Sequence, residues 1–183
     1  HIIRYRRPTP SAAQALLCFA LMLCLAWFAM QSIGDFVSPL VGMALGHAIF
    51  ILLPPLAMAL ILTSSPKRTL RLNLPDRRYI VLAIGLALSL NPWVRELGSL
   101  VNQLFPPSKL VMEQIELMMK SIPNQTVGIL LLAVIPSITE EFAFRGFILS
   151  GLERDGRARS AILYSALLFG VLHVMLSLFN QLF

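Results

Sequence analysis

The sequence predicts an all-α membrane protein: a polytopic transmembrane helical bundle of about five spans, with one amphipathic helix on its surface. Three observations predict it. First, 57% of the 183 residues are hydrophobic and 13% are charged, whereas a soluble domain carries about 25% charged and roughly 45–50% apolar residues. Second, the apolar residues are gathered into long uncharged runs separated by polar segments, the pattern of successive membrane spans. Third, the basic residues punctuate those runs. Of the 15 Lys and Arg, Arg4, Arg6 and Arg7 precede the first run, Lys67, Arg68, Arg71, Arg77 and Arg78 follow the second, and Arg154, Arg157 and Arg159 follow the fourth. Two crossings between successive clusters put all of these on one side of the membrane. That asymmetry assigns the N-terminus and these loops to the cytoplasm, with membrane lipids, anionic headgroups among them, as neighbours. It also removes the nucleic-acid reading that a net charge of +6 would invite.

The first span covers residues 11–33. Its 19 uncharged residues from Ala12 to Met30 outrun a signal-peptide core of roughly 7–15 residues, and no small-x-small cleavage site follows. Cys18 and Cys24 lie about 9 Å apart along this helix, too far for a local disulfide, and read as small apolar residues. After a turn at Gly34-Asp35, the second span covers 37–62. Gly42 and Gly46 have a small-residue spacing suited to close helix packing, and Pro54-Pro55 should kink or break the helix near its cytoplasmic end. Residues 63–78 read as a solvated connector. The third span, 79–94, has 16 residues, and Asn91-Pro92 followed by Arg95-Glu96 should stop it. It either crosses with Arg78 and Arg95 snorkelling at its ends or is partly re-entrant.

From residue 97 the pattern changes. Ser108 is an expected N-cap, and Val111, Ile115, Met118 and Ile122 then share one helix face. Lys109, Glu113, Glu116 and Lys120 supply two i,i+4 ion pairs on the other. This amphipathic helix lies on the outer surface or over the mouth of the bundle. The fourth span, 127–152, carries Glu140, Glu141 and Arg145. A short charged loop leads to the fifth, which starts at Ser160 and runs uncharged to Phe183 apart from His173. The chain thus divides into a two-span region over 1–78, a short span with the amphipathic helix over 79–126, and a chemistry-bearing core over 127–183. A start at His1 and an end within an apolar run lead us to expect a piece of a longer chain.

Three charged residues within six positions would cost on the order of 9 kcal/mol if they faced lipid. They are therefore expected to face the protein interior. Glu141 and Arg145 are one helical turn apart and should form a buried salt bridge, a pair that suits a helix staple as well as a functional site. Glu140 points about 100° away from its neighbour, so one carboxylate is paired and the other is spare. Glu140 also lies 12 residues before Leu152, about 18 Å deep, and His173 lies 13 residues after Ser160, about 20 Å deep. An antiparallel hairpin brings these two to one level. His47 has no carboxylate at a matching spacing and reads as a packing residue or an interhelical hydrogen-bonding one.

Glu140-Glu141-Phe142-Ala143-Phe144-Arg145 fits the pattern EExxxR, and Phe169-Gly170-Val171-Leu172-His173 fits FxxxH. Together, in this order, they resemble the first two signatures of the CPBP intramembrane proteases, also called the CAAX-protease or bacteriocin-processing (Abi) family. The resemblance covers roughly residues 127–183. It implies an endopeptidase in which Glu140 activates water, Glu141 and Arg145 support it, and His173 lines the cavity. It implies a metalloprotease as well, with a divalent metal, zinc by preference, at Glu140 and His173. The expected substrate is a prenylated CAAX peptide, or in a prokaryotic inner membrane a bacteriocin-like or other membrane peptide. Family members carry a further helix with a second His and an Asn or Asp. Asn180 does not map to that motif, so these 183 residues are expected to hold an incomplete, inactive site.

Two other functions fit the same residues. In a transporter or permease-associated domain, Glu140, Glu141 and His173 would form a proton or ion site, with helices broken at Pro54-Pro55 and Asn91-Pro92. A non-catalytic scaffold would instead hold a membrane-protein partner against its bundle.

Overall fold

Inside a bilayer no water satisfies backbone N–H and C=O groups, so an apolar chain satisfies them within its own helices. The computed structural model describes residues 7–33, 38–153 and 157–182. Among the described residues the order is α1 (Ala12–Ile33), α2 (39–62), α3 (Pro66–Thr69), α4 (Arg77–Leu104), α5 (Lys109–Lys120), α6 (Gln125–Leu152) and α7 (Ala158–Leu182). α2, α4, α6 and α7 are long and apolar enough to span a membrane, and α1 adds a shorter apolar helix. The fold is the expected all-α membrane bundle. The turn at Gly34-Asp35 and the basic residues Arg4, Arg6 and Arg154 lie outside the described residues.

Local chemistry sets the helix starts. Ser11 and Gln14 form a reciprocal capping box, with Ser11 N–H donating to Gln14 Oε1 at 2.8 Å and Gln14 N–H to Ser11 Oγ at 3.3 Å. Asp76, Ser108 and Asn124 cap α4, α5 and α6 by accepting from Arg78, Val111 and Val127 N–H. The core joins Cys18, Phe19 and Met22 of α1, Ile51 and Ala59 of α2, Phe144, Phe147 and Ile148 of α6, and Leu172 of α7. Gly151 lets α6 approach α1. A Cβ there would sit 2.7 Å from Ala15 Cβ and 2.9 Å from the Ser11 carbonyl oxygen. α5 lies against the start of α2 and against α7, over one end of the bundle, and forms one of its two expected pairs, Glu116–Lys120 at 2.6 Å.

Several expectations give way to packing. Pro54-Pro55 do not break α2. The helix widens to a π turn over His47–Leu52, where Leu53 N–H bonds the Ala48 carbonyl five residues back, so the two missing proline donors are absorbed by a change of register. Pro92 does not stop α4, which continues for 28 residues to Leu104; an apolar environment favours keeping the remaining helical bonds over exposing them. None of its residues is buried against the bundle. Gly46 is not a close helix contact, since a Cβ there would meet only Phe50 of its own helix, at 3.9 Å.

The solvated connector is in fact half docked. Ser64 N–H donates to the Arg7 carbonyl at 2.9 Å, and the Thr69 hydroxyl to the Pro8 carbonyl at 3.1 Å. The Ser150 hydroxyl donates to the Thr69 carbonyl at 2.8 Å, and Arg71 bonds both Ser150 and Glu153. Thr63, Thr69 and Leu70 are buried as a result. Satisfying these polar groups draws Arg7, the loop after α2 and the end of α6 together at one end of the bundle.

Candidate active site

The α-helical turn Ile135–Glu140 of α6 packs against the π-helical stretch of α2. Glu140 ends that turn, and a second π stretch, Glu141–Ile148, begins at the next residue. Its register shift is visible at Phe144, whose carbonyl accepts from Leu149 N–H five residues on and also from the Ser165 hydroxyl of α7 at 3.0 Å. That bond ties α7 to α6 below the site. The Phe144 ring, fully buried, meets Phe169 of α7 edge-on at 5.1 Å and Phe19 of α1 at 6.4 Å. Phe169 in turn lies 4.4 Å from the His173 ring, one helical turn away. The aromatic position of FxxxH therefore has a physical task, to carry the imidazole on its face.

Glu140 and His173 come together across α6 and α7, with His173 Nε2 3.8 Å from Glu140 Oε1. A second imidazole meets the same oxygen. His47 Nε2, from α2, lies 3.5 Å from Oε1. Each ring gives its Nδ1–H to the carbonyl four residues back, His47 to Met43 and His173 to Phe169, both at 3.0 Å, which leaves each Nε2 aimed at the carboxylate. The Glu140 and His47 side chains are 21% and 22% exposed, while that of His173 is half open.

His47 is thus a site neighbour, where sequence reasoning expected a packing or interhelical hydrogen-bonding residue. The signal was present in the depth count. His47 lies 15 residues before Leu62, about 22 Å from that end of the bundle, the same level as Glu140 and His173.

Glu141 and Arg145 correct the sequence expectation. They are paired at 3.8 Å, but their side chains are 62% and 55% exposed, so the pair is not buried. Both line an open cleft of about 210 Å³ between α6 and Leu70–Leu72 of the docked loop. Arg145 is seven residues from Leu152, about 10 Å, so its long side chain reaches the polar end of the bundle. Its guanidinium lies 5.9 Å from the centre of the Phe169 ring, a cation–π placement.

A catalytic zinc takes three protein donors around an open position. Among the described residues no group of three or more His, Cys, Asp or Glu is placed to hold a metal ion. The two imidazoles close on the carboxylate itself, at one oxygen. Among the described residues these donors do not complete a metal centre.

Among curated proteins and solved structures, none matches the chain. Residues 122–183 match the family model described as type II CAAX prenyl endopeptidase Rce1-like, a stretch that contains Glu140, Glu141, Arg145 and His173 but not His47. In that segment the chain is similar to the type II CAAX prenyl endopeptidases, the family its EExxxR and FxxxH patterns resemble.

Proposed function

We infer that the protein is an intramembrane endopeptidase in which Glu140 is the general base. The observation that carries this is the Glu140 carboxylate, mostly buried within the bundle and 3.8 Å from an imidazole that is half open. Water held between carboxylate and substrate gives its proton to Glu140 as its oxygen attacks the peptide carbonyl carbon. Protonated Glu140 then delivers that proton to the departing amine nitrogen as the C–N bond breaks, so the carboxylate is regenerated. His173, open on the substrate side, orients the water or the developing oxyanion through Nε2. Glu141 and Arg145 line the neighbouring cleft and support α6 from outside the reacting centre.

The substrate class is a peptide segment that reaches the membrane from the basic end of the bundle. A prenylated C-terminal peptide or a bacteriocin-like membrane peptide meets that requirement, and the basic clusters support a cytoplasmic location for this end and the N-terminus. The transporter alternative loses the broken helices that would have suited it, because α2 and α4 run on through Pro54-Pro55 and Pro92.

Glu140→Gln keeps the shape of the side chain but cannot accept the proton. In proteoliposomes that carry the complete protein and are presented with membrane-adjacent fluorogenic peptides, turnover should fall by roughly 10²–10⁴-fold with substrate binding retained. Normal cleavage by Glu140→Gln would remove the assignment. A change in proton flux with no peptide cut by either form would favour transport.

A further inference from the structure

The protease reading draws its residues from α6 and α7, and the present inference rests on that reading and extends it to α2. Of the two imidazoles at Glu140 Oε1, His47 is the nearer, at 3.5 Å against 3.8 Å for His173. Three features make this contact a built one. The Met43 carbonyl accepts from His47 Nδ1–H at 3.0 Å and fixes the ring plane. The π stretch of α2 opens at His47 itself and packs on the turn that ends at Glu140, and such stretches are often found at functional sites. Finally, His47 and Glu140 are buried to the same degree, whereas His173 is half open. The carboxylate therefore has an open flank and a closed flank, and His47 forms the closed one.

We propose that His47 is a positioning residue of the active site: from α2 it holds the Glu140 carboxylate so that its free lone pairs face His173 and the substrate. With Nδ1 committed to a carbonyl, Nε2 is the ring atom that faces Oε1. Without that partner the Glu140 side chain regains rotamer freedom, and a displacement of about 1 Å at a reacting group costs on the order of 10²-fold in rate. It follows that the N-terminal two-span region, outside the matched residues 122–183, forms one wall of the active site.

The test uses the full-length protein in proteoliposomes and a membrane-adjacent fluorogenic peptide. His47→Ala should lower kcat by about 10–100-fold with KM and thermal midpoint nearly unchanged. His47→Gln, whose amide can donate to the carboxylate from a similar reach, should recover most of the loss. A purely structural role would move midpoint and KM together and would not be rescued by Gln; that result, or wild-type kcat in His47→Ala, overturns the proposal. The geometry is read separately, by bridging His47→Cys to Glu140→Cys with a short bifunctional thiol reagent on a Cys18→Ala, Cys24→Ala background. Bridging in a protein whose wild type cuts no peptide would mean that the protease reading has failed, and the catalytic role of His47 with it. Absence of bridging while the wild type cuts peptide would sink the role of His47 alone.

Discussion

Arg145→Met tests whether Glu141 and Arg145 staple the bundle or merely line a cleft. A buried pair that loses one partner costs about 3–5 kcal/mol, because the remaining charge is left uncompensated. The structure argues for much less. At the observed 3.8 Å, two unit charges attract by about 1 kcal/mol in a water-like medium and by about 4 kcal/mol at an effective dielectric constant of 20. With both side chains more than half exposed, the first figure is the relevant one, and the measured worth of such pairs is about 0–1 kcal/mol. The Phe169 contact adds about 0.5–1 kcal/mol at an exposed site. The expected total is therefore about 1 kcal/mol, near the lower limit of what a melting curve resolves. Methionine keeps much of the stem that packs along α6, so lost packing adds little.

For a chain of this length 1 kcal/mol moves the melting midpoint by about 2–4 °C. The assay is thermal unfolding in detergent at low and high salt, following intrinsic fluorescence of Trp27 and Trp93. Arg145→Met should lower the midpoint by no more than about 4 °C, and the difference should shrink at high salt, because exposed pairs are screened. A fall of 8 °C or more, insensitive to salt, would show a desolvated pair and refute the exposed geometry.

Gly151→Ala should destabilise by about 1–3 kcal/mol, since the new methyl would sit 2.7 Å from Ala15 Cβ; Gly85→Ala on α4, which meets nothing within 4 Å, should be neutral or stabilise by up to about 1 kcal/mol. The matched melts separate packing from helix propensity, and a stabilised Gly151→Ala would contradict the close approach of α1 and α6. On topology, single cysteines placed at the exposed positions 67, 68, 71–78, 157 and 159 should react with a membrane-impermeant reagent applied from the cytoplasmic face. Labelling of 106–124 from that same face would overturn the orientation.

What was legible in the sequence was whatever a helix repeats. The starts of α1, α2, α6 and α7 fall within two residues of the expected spans, because an uncharged run bounded by polar residues leaves a membrane chain no other structure. Ser108 announced its cap. Glu140 and His173 were found by depth, since rise per residue is constant and a short connection fixes the common origin. What was missed depends on contacts that no periodicity encodes. Pro92 is a helix breaker by propensity, yet α4 keeps its helix. The stretch 63–72 is polar enough to be solvated, but Thr63, Thr69 and Ser150 find partners in one another and in the N-terminal segment. The π stretches leave no signature in composition, and they set which faces of α2 and α6 meet. His47 was discounted for want of a carboxylate at a matching spacing, when its partner lay 93 positions away in sequence and at the same depth.

The insertion cost of the charged cluster can now be divided among its members. Three lipid-facing charges would cost on the order of 9 kcal/mol, and that figure first suggested a fully interior cluster. Arg145 and Glu141 largely escape it by opening to the cleft at the docked loop. Glu140 does not. It is mostly buried, about 18 Å from the end of α6, and its compensation comes from two imidazoles on separate helices. An imidazole can accept or donate at Nε2, whereas the side chains of Arg and Lys only donate. An Arg or Lys in the same place would engage the carboxylate in a permanent ion pair. On the proposed mechanism, histidine at both neighbouring positions suits a proton-accepting carboxylate better than a permanent cation would. Substituting both with permanent cations should preserve folding better than substituting both with alanine, yet abolish turnover.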